Sequence, residues 1–317
     1  MATKEPENEV IASSIAKELI TISDCLRWAT SRFNEANLFY GHGTESAWDE
    51  AVHLVLQLIH LPLDIDDRVL DARLTHSERE IIVKCIYRRV VERIPLPYLT
   101  NVAWFAGMKF YVDQRVIIPK SPIGELVRNG FSPWVEHDHI ASVLDLCTGS
   151  GCIGIGAAHA FPNADVTISD ISPDALEVAK RNVRDHKLSS KITLVESDLF
   201  KNLDGAHFDL IISNPPYVDK GDIDTMPEEY HKEPRLALEA GEDGLELVRR
   251  ILRQAPHHLN ANGVLIVEVG NSQYSLQNTF PNVPFTWLNF EDGGDGVFVL
   301  TSEELLKYHE EFLKVEV

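Results

Sequence analysis

Apolar positions along this chain recur at two different periods, and the change between them divides it. From residue 10 to 94 the period is helical. Ile11, Ile15, Leu19, Ile22, Leu26, Ala29 and Phe33 fall three or four residues apart and draw one apolar stripe. After a Gly41-His42-Gly43 break, Ala47, Ala51, Leu54, Val55 and Leu58 begin a second stripe, which Pro62 ends. Thr75 and Glu78 have capping-box spacing ahead of Ile81, Ile82, Cys85, Ile86 and Val90, and Pro95 closes that helix. Such a bundle serves packing or recognition; His42, His53, His60 and His76 are scattered through it and form no catalytic cluster. Tyr98 to Ile118 is instead rich in aromatic and β-branched residues with Gly107 near its middle, which predicts a connecting β-hairpin.

Pro119-Lys120-Ser121-Pro122 punctuates the chain before a helix start at Ile123. From Ala141 onward strands alternate with helices, the pattern of an α/β fold with a parallel sheet and crossover helices. The expected strands are 142–146, 165–170, 191–195, 208–213 and 263–269, with helices over 173–186 and 245–255. Phe285–Leu288 and Gly296–Leu300 are expected to pair as an antiparallel addition at the sheet edge. This divides the chain into a helical N-terminal domain over 1–94, a β-hairpin linker over 95–119 and an α/β domain over 120–317.

Composition narrows the setting. With 317 residues, 44% hydrophobic and 25% charged, the chain has core enough for one large domain and a smaller one. No run approaches the ~18 apolar residues of a membrane span. The polar, acidic start is unlike a signal or transit peptide. Cys25, Cys85, Cys147 and Cys152 lack metal-ligand spacing and read as reduced thiols of a cytoplasmic protein, with no metal expected. The net charge of −20 weighs against gripping a nucleic-acid backbone and suits a basic partner, with simple solubility as the plainer reading. Residues 141–300 share that acidity, with 12 Lys and Arg against 24 Asp and Glu.

The chemistry concentrates where strands end. The apolar run Phe208–Ile212 stops at Ser213-Asn214-Pro215-Pro216-Tyr217. Two prolines remove two backbone donors, leaving carbonyls and the Asn214 amide to serve another partner. A substrate NH₂ group suits them, with Tyr217 as a flat face for a planar amide or base. The bland alternative is a strand-ending turn capped by Asn. Gly149-Ser150-Gly151-Cys152-Ile153-Gly154 matches G-x-G-x-x-G after a strand, and Asp170 ends the next strand. On spacing alone a nicotinamide dinucleotide competes for this loop. Asp145 discriminates, since it would repel a pyrophosphate but attract the ammonium of an amino-acid moiety.

Asp145-Leu146-Cys147-Thr148-Gly149-Ser150-Gly151 resembles the first motif of class I S-adenosylmethionine-dependent methyltransferases, whose domain is Rossmann-like. The resemblance implies that Cys147, Thr148, Gly149, Ser150 and Gly151 approach the methionine part and adenosine of the cofactor. It further implies that Asp170 binds both ribose hydroxyls and that Asp198 meets the adenine amino group, with Ile171 and Leu199 beside them in the cofactor site. Asn214-Pro215-Pro216-Tyr217 resembles the motif of amino-group methyltransferases, shared by DNA adenine and protein-glutamine enzymes. By that resemblance the Asn214 oxygen and the Pro215 carbonyl accept the two N–H bonds of the target nitrogen and Tyr217 packs on the planar target. Asn214 would then border cofactor and substrate alike, and catalysis would be mostly positioning and electrostatics. A DNA enzyme needs a basic groove around a flipped base. Residues 219–246 instead hold ten acids against Lys220, Lys232 and Arg235, which favours a protein substrate and no direct DNA binding.

Taken over most of its length, the chain is similar to the protein-(glutamine-N5) methyltransferases. The residues that carry this are Pro97-Tyr98-Leu99-Thr100, Ile118-Pro119-Lys120-Ser121-Pro122 and Glu233-Pro234-Arg235-Leu236-Ala237-Leu238. Within that family it looks like the branch acting on the third protein of the large ribosomal subunit. Cys147 stands where the release-factor branch usually has Gly, and Lys120-Ser121-Pro122 where that branch has Arg-Pro-x-Thr-Glu. Glu268-Val269-Gly270-Asn271-Ser272 and Gly293-Gly294-Asp295-Gly296-Val297-Phe298 point the same way. Lys120 replaces the Arg commoner in the branch, which keeps the charge but loses any bidentate contact. The implied activity is methylation of a glutamine amide in a basic large-subunit protein. Methylation of release factors is the nearest alternative; a nicotinamide-dependent oxidoreductase and a non-catalytic ribosome-assembly binder are alternatives of another class.

Overall fold

The computed structural model describes residues 14–315. Two compact units emerge: residues up to Val102 together with Pro227–Lys232, and Ala103–Met226 together with Glu233 onward.

The first unit packs the helices Ile22–Glu35, Ala47–Leu58 and His76–Val91. The first expected stripe does not form one continuous helix. Residues 14–18 are helical, the chain then leaves the helix, and a new one starts at Ile22. Thr21 and Asp24 make a capping box that satisfies the orphan N–H groups of the new helix, which is why it restarts there. Leu19, Ile22, Leu26, Ala29 and Phe33 are buried all the same, and Ile11 lies outside the described residues. The Thr75–Glu78 capping box is present at the head of His76–Val91. Within the apolar stripes sit two charged residues, Glu50 and Arg89, both buried.

The expected hairpin over Tyr98–Ile118 is shorter than its composition suggests. Leu96–Thr100 is a short helix, with Pro97 in the first turn where a missing N–H costs nothing. The hairpin comprises only Ala103–Phe105 (β1) and Met108–Phe110 (β2). Ala106 and Gly107 turn it, both at positive φ (50° and 78°), as a two-residue connection of this hand requires.

The second unit is built on seven further strands: β3 Ser142–Leu146, β4 Asp165–Asp170, β5 Ile192–Glu196, β6 Phe208–Ser213, β7 Leu259–Glu268, β8 Thr286–Trp287 and β9 Val297–Thr301. Their order is β5-β4-β3-β6-β7-β9-β8. β3 to β7 run parallel, while β9 lies antiparallel to β7 and β8 antiparallel to β9. Apolar side chains cover both faces, with Val143, Ile168, Leu210, Ile212 and Ile266 in one core layer and Leu144, Leu146, Ile211, Leu265 and Val267 in the other. Burial on both faces explains why these strands read as continuous apolar runs. The strand order reverses between β3 and β6, so a crevice opens at their carboxyl ends, the usual ligand position of such sheets.

Candidate active site

Four consecutive parallel strands deliver the candidate residues to that crevice. β3 ends in the loop Cys147–Gly151, which feeds the helix Cys152–Ala160. Gly151 has φ +82° at the head of this helix, and Cys147 takes φ +58°, a left-handed conformation that an L-residue pays for with strain. The loop is secured by backbone bonds: Thr148 N–H donates to the Ser169 carbonyl at 3.0 Å, and Gly151 N–H to the Thr148 carbonyl at 2.9 Å.

Asp145 lies beneath this loop and is fully buried. Its Oδ2 accepts the Thr148 hydroxyl and the Gly154 N–H, the latter at 2.8 Å. Its Oδ1 is buried without a hydrogen-bond partner. Burial pushes the carboxyl up to about 7 despite those two donors. The sequence alone cast Asp145 as a ligand; in the structure it also braces the loop from below.

At the end of β4, Asp170 Oδ2 accepts the Gly149 N–H and Oδ1 accepts the Ser172 N–H, each at 2.9 Å. Burial raises its pKa. Ile171, next in the chain, is half exposed. Beyond β5, the Asp198 carboxylate is paired with Arg250 from the helix Glu246–Gln254 at 2.6 Å. Leu199 is buried at φ +50°, and its carbonyl accepts the Ser197 hydroxyl at 2.6 Å.

β6 ends at Ser213, whose hydroxyl donates to the Leu146 carbonyl at 2.9 Å and ties the two strand ends together. Asn214 follows half-buried, Pro215 is buried, and Pro216 and Tyr217 are half-buried. The Asn214 amide makes no side-chain hydrogen bond among the described residues, whereas the Tyr217 hydroxyl donates to Glu268 Oε1 at 3.0 Å. The segment after Tyr217 is a closed loop, since Val218 pairs with Glu239.

Comparison with known proteins identifies this assembly. Residues 133–232, from ahead of β3 to past Tyr217, match the family described as "Methyltransferase small domain". The ribosomal protein uL3 glutamine methyltransferase of Francisella tularensis subsp. tularensis is 56% identical over 301 residues, covering 95% of this chain and 96% of the relative. That of Neisseria meningitidis serogroup A is 51% identical over 299 residues, covering 94% and 98%. This chain belongs to the ribosomal protein uL3 glutamine methyltransferase family. It is an enzyme of the methyltransferase class, and the dinucleotide reading of the glycine loop is set aside. Among solved structures, the hMettl16 catalytic domain in complex with an RNA hairpin aligns at 16% identity and a TM-score of 0.48, covering 71% of this chain and 80% of that one.

Several residues that shape the site escaped the sequence reading. Asn182, 1% exposed, donates to the Ser150 carbonyl at 2.8 Å and so holds the glycine loop from behind; it also accepts the Tyr111 N–H. Its signal was a polar residue inside the apolar stripe of Pro173–Asp185, next to Val178, Ala179 and Val183. Arg250 on Asp198 had no local signal, while Glu268 was singled out only as part of a family-like stretch, with nothing to say that it would meet Tyr217. The acids of 219–246 also look different in place. Glu228, Glu229, Glu233, Glu239, Glu242 and Asp243 are all ion-paired within their own units, so most of that run is already matched by cations of this chain. Among the described residues no helix is long and apolar enough to cross a membrane, and no cluster of His, Cys, Asp and Glu could hold a metal ion.

Proposed function

We propose that this chain transfers a methyl group from S-adenosylmethionine to a glutamine side-chain amide of ribosomal protein uL3. The observation that carries it is the position of Asn214-Pro215-Pro216-Tyr217 at the end of β6, beside the glycine loop on β3, with the Asn214 amide unengaged.

The donor set fits the cofactor. A buried, orphaned carboxylate oxygen on Asp145 suits a cationic amino group, and at Gly149 the nearest atom to an added Cβ is Ile117 Cγ2 at 3.8 Å, which leaves that point of the loop open to a ligand. Asp170 is already oriented by two backbone N–H groups, and its oxygens retain lone pairs suited to a diol. Ile171 offers an exposed apolar face beside it, while Asp198 and Leu199 border the same crevice. When bound, S-adenosylmethionine supplies an electrophilic methyl group.

The residues around the amide do the rest. An amide nitrogen is a weak nucleophile because its lone pair is delocalised into the carbonyl. Asn214 Oδ1 and the Pro215 carbonyl accept its two N–H bonds, which fixes the nitrogen in one orientation and stabilises positive charge as it builds there. Proline has no N–H, so the turn offers acceptors at Pro215 without a competing donor. Tyr217 covers the planar amide with its ring.

The test is to incubate the enzyme with labelled cofactor and, separately, purified large-subunit proteins and release factors. Label in uL3 alone, at a glutamine, is expected; label in a release factor instead overturns the substrate assignment. Asn214→Ala should lose turnover by at least about 100-fold with cofactor affinity largely kept, the loss typical of removing a transition-state acceptor. Equal loss of cofactor affinity contradicts the division of roles.

A further inference from the structure

Three stretches left without a role by the activity pack on one another around Tyr217: Glu268-Val269-Gly270-Asn271-Ser272 touches it, and Lys120-Ser121-Pro122 and Gly293-Gly294-Asp295-Gly296 pack on that stretch. Glu268, at the end of β7 and 2% exposed, accepts the Tyr217 hydroxyl on Oε1 at 3.0 Å and the Ser121 hydroxyl on Oε2. The Ser272 hydroxyl donates to the Tyr217 carbonyl at 3.0 Å. Gly270 lies against the Tyr217 ring, where an added Cβ would come within 2.6 Å of Cε2. Gly294 packs on Pro122 in the same way, an added Cβ lying 2.6 Å from Cγ. The tyrosine is therefore gripped at its hydroxyl, its ring and its carbonyl, and its hydroxyl is committed to protein.

We infer that Glu268 is a positioning residue of the methyl-transfer site: it holds Tyr217, and through it the Asn214–Tyr217 segment, in the orientation that receives the substrate amide. The inference rests on the reading of Asn214–Tyr217 as the amide clamp. Its chemical content is specific. A carboxylate can accept two hydroxyl donors at once, one per oxygen, whereas a protonated carboxyl must turn one oxygen into a donor. The arrangement thus calls for the ionised form, even though the carboxyl is buried. The titratable and charged groups facing it are Tyr217 at the end of β6 and Lys120 in the loop ahead of Ile123, and Lys120 is itself paired with Glu233 at 3.3 Å. Burial pushes Glu268 up to about 7, against the opposing pull of Ser121, Tyr217 and Lys120. Ionisation, and with it the grip on Tyr217, should be lost as pH falls below that value.

The experiment compares full-length wild type, Glu268→Gln, Glu268→Asp and Tyr217→Phe for kcat, KM for each substrate and cofactor affinity across pH 5.5 to 9. A hydrogen bond to a charged group is worth enough to change rate by about 10- to 100-fold. Wild-type kcat is expected to rise through pH 7; Glu268→Gln should lower kcat by that factor with cofactor affinity unchanged, and should abolish that rise. Tyr217→Phe should lose the same limb, and Glu268→Asp should recover part of the rate with the limb retained. Wild-type kcat in Glu268→Gln, or the same pH limb in both Glu268→Gln and Tyr217→Phe, overturns the inference. Should Glu268→Gln not fold, Tyr217→Phe carries the decision through its pH profile. Asn214→Ala separates the two levels: full activity there removes the clamp reading itself, whereas an inactive Asn214→Ala beside an unaffected Glu268→Gln removes only the role of Glu268.

Discussion

Replacing Arg89 with Met tests what holds the helical unit together. Arg89 is 1% exposed. Its guanidinium bonds Glu50 Oε1, reaches Glu229 Oε1 at 3.1 Å and donates to the Phe39 carbonyl at 2.9 Å. Glu50 also accepts the Thr44 hydroxyl at 2.8 Å, and Glu229 the Phe39 N–H at 3.2 Å. Each glutamate is 2% exposed. Methionine conserves most of the stem but leaves two buried carboxylates and a carbonyl without their shared donor. Breaking a buried pair by removing one partner costs about 3–5 kcal/mol. Arg93, which also reaches Glu229 at 3.5 Å, offsets part of the loss, so about 3 kcal/mol is expected, a large share of the ~5–15 kcal/mol that a domain possesses. Urea unfolding followed by far-ultraviolet circular dichroism reads this as a lower midpoint. A double-mutant cycle with Glu229→Gln should give a coupling above about 1 kcal/mol. The pH dependence has a definite sign. Burial alone would raise Glu229, but the Phe39 N–H and Arg89 outweigh it and hold it below its ordinary value. Its stabilisation is therefore present above the usual carboxylate range and lost as pH falls through the depressed value. Arg89→Met should lose that acid-side dependence. A cost under about 1 kcal/mol, or additive Arg89→Met and Glu229→Gln effects, refutes the argument.

Two further substitutions address the glycine loop. Gly154→Ala places a Cβ against Ile168 Cγ2 and 3.0 Å from Asp145 Oδ2; overpacking of about 1–3 kcal/mol should outweigh the ~1 kcal/mol gain in helix propensity. Thermal unfolding should show the loss and cofactor titration a weaker affinity, and wild-type values in both contradict the packing. Asp145→Asn keeps the shape and accepts the same Thr148 and Gly154 donors without burying a charge. Because Asp145 is raised to about 7, its contribution is fully present below the ordinary aspartate value and is lost as pH climbs to about 7. The cofactor-free Asn variant should therefore gain on wild type across that window, and parallel stability–pH curves for the two proteins would falsify the assignment.

The parts of the fold legible in the sequence were those governed by neighbours a few residues away. The capping box at Thr75–Glu78 closes over three residues, and β3, β4 and β6 begin and end where their apolar runs do. The break at Thr21 was missed because the stripe stays in phase across it, so hydrophobic spacing carried no trace of the interruption. The short helix Leu96–Thr100 was missed because aromatic and β-branched composition outweighed the signal of Pro97 in its first turn.

For the site, the alternation of strands and helices placed the ends of β3, β4, β5 and β6 along one edge of a parallel sheet, and the resemblance to methyltransferases assigned Asp145, the glycine loop, Asp170, Asp198 and Asn214–Tyr217 to those ends. Tertiary structure alone decided what each carboxylate does there. Asp198 meets Arg250 across 52 residues and Glu268 meets Ser121 across 147; in the helical unit, Glu229 meets Arg89 across 140 in the same way. Whether a carboxylate is a free ligand, a brace or one half of a buried pair depends on the donors and the dielectric around it, and packing between distant segments supplies both.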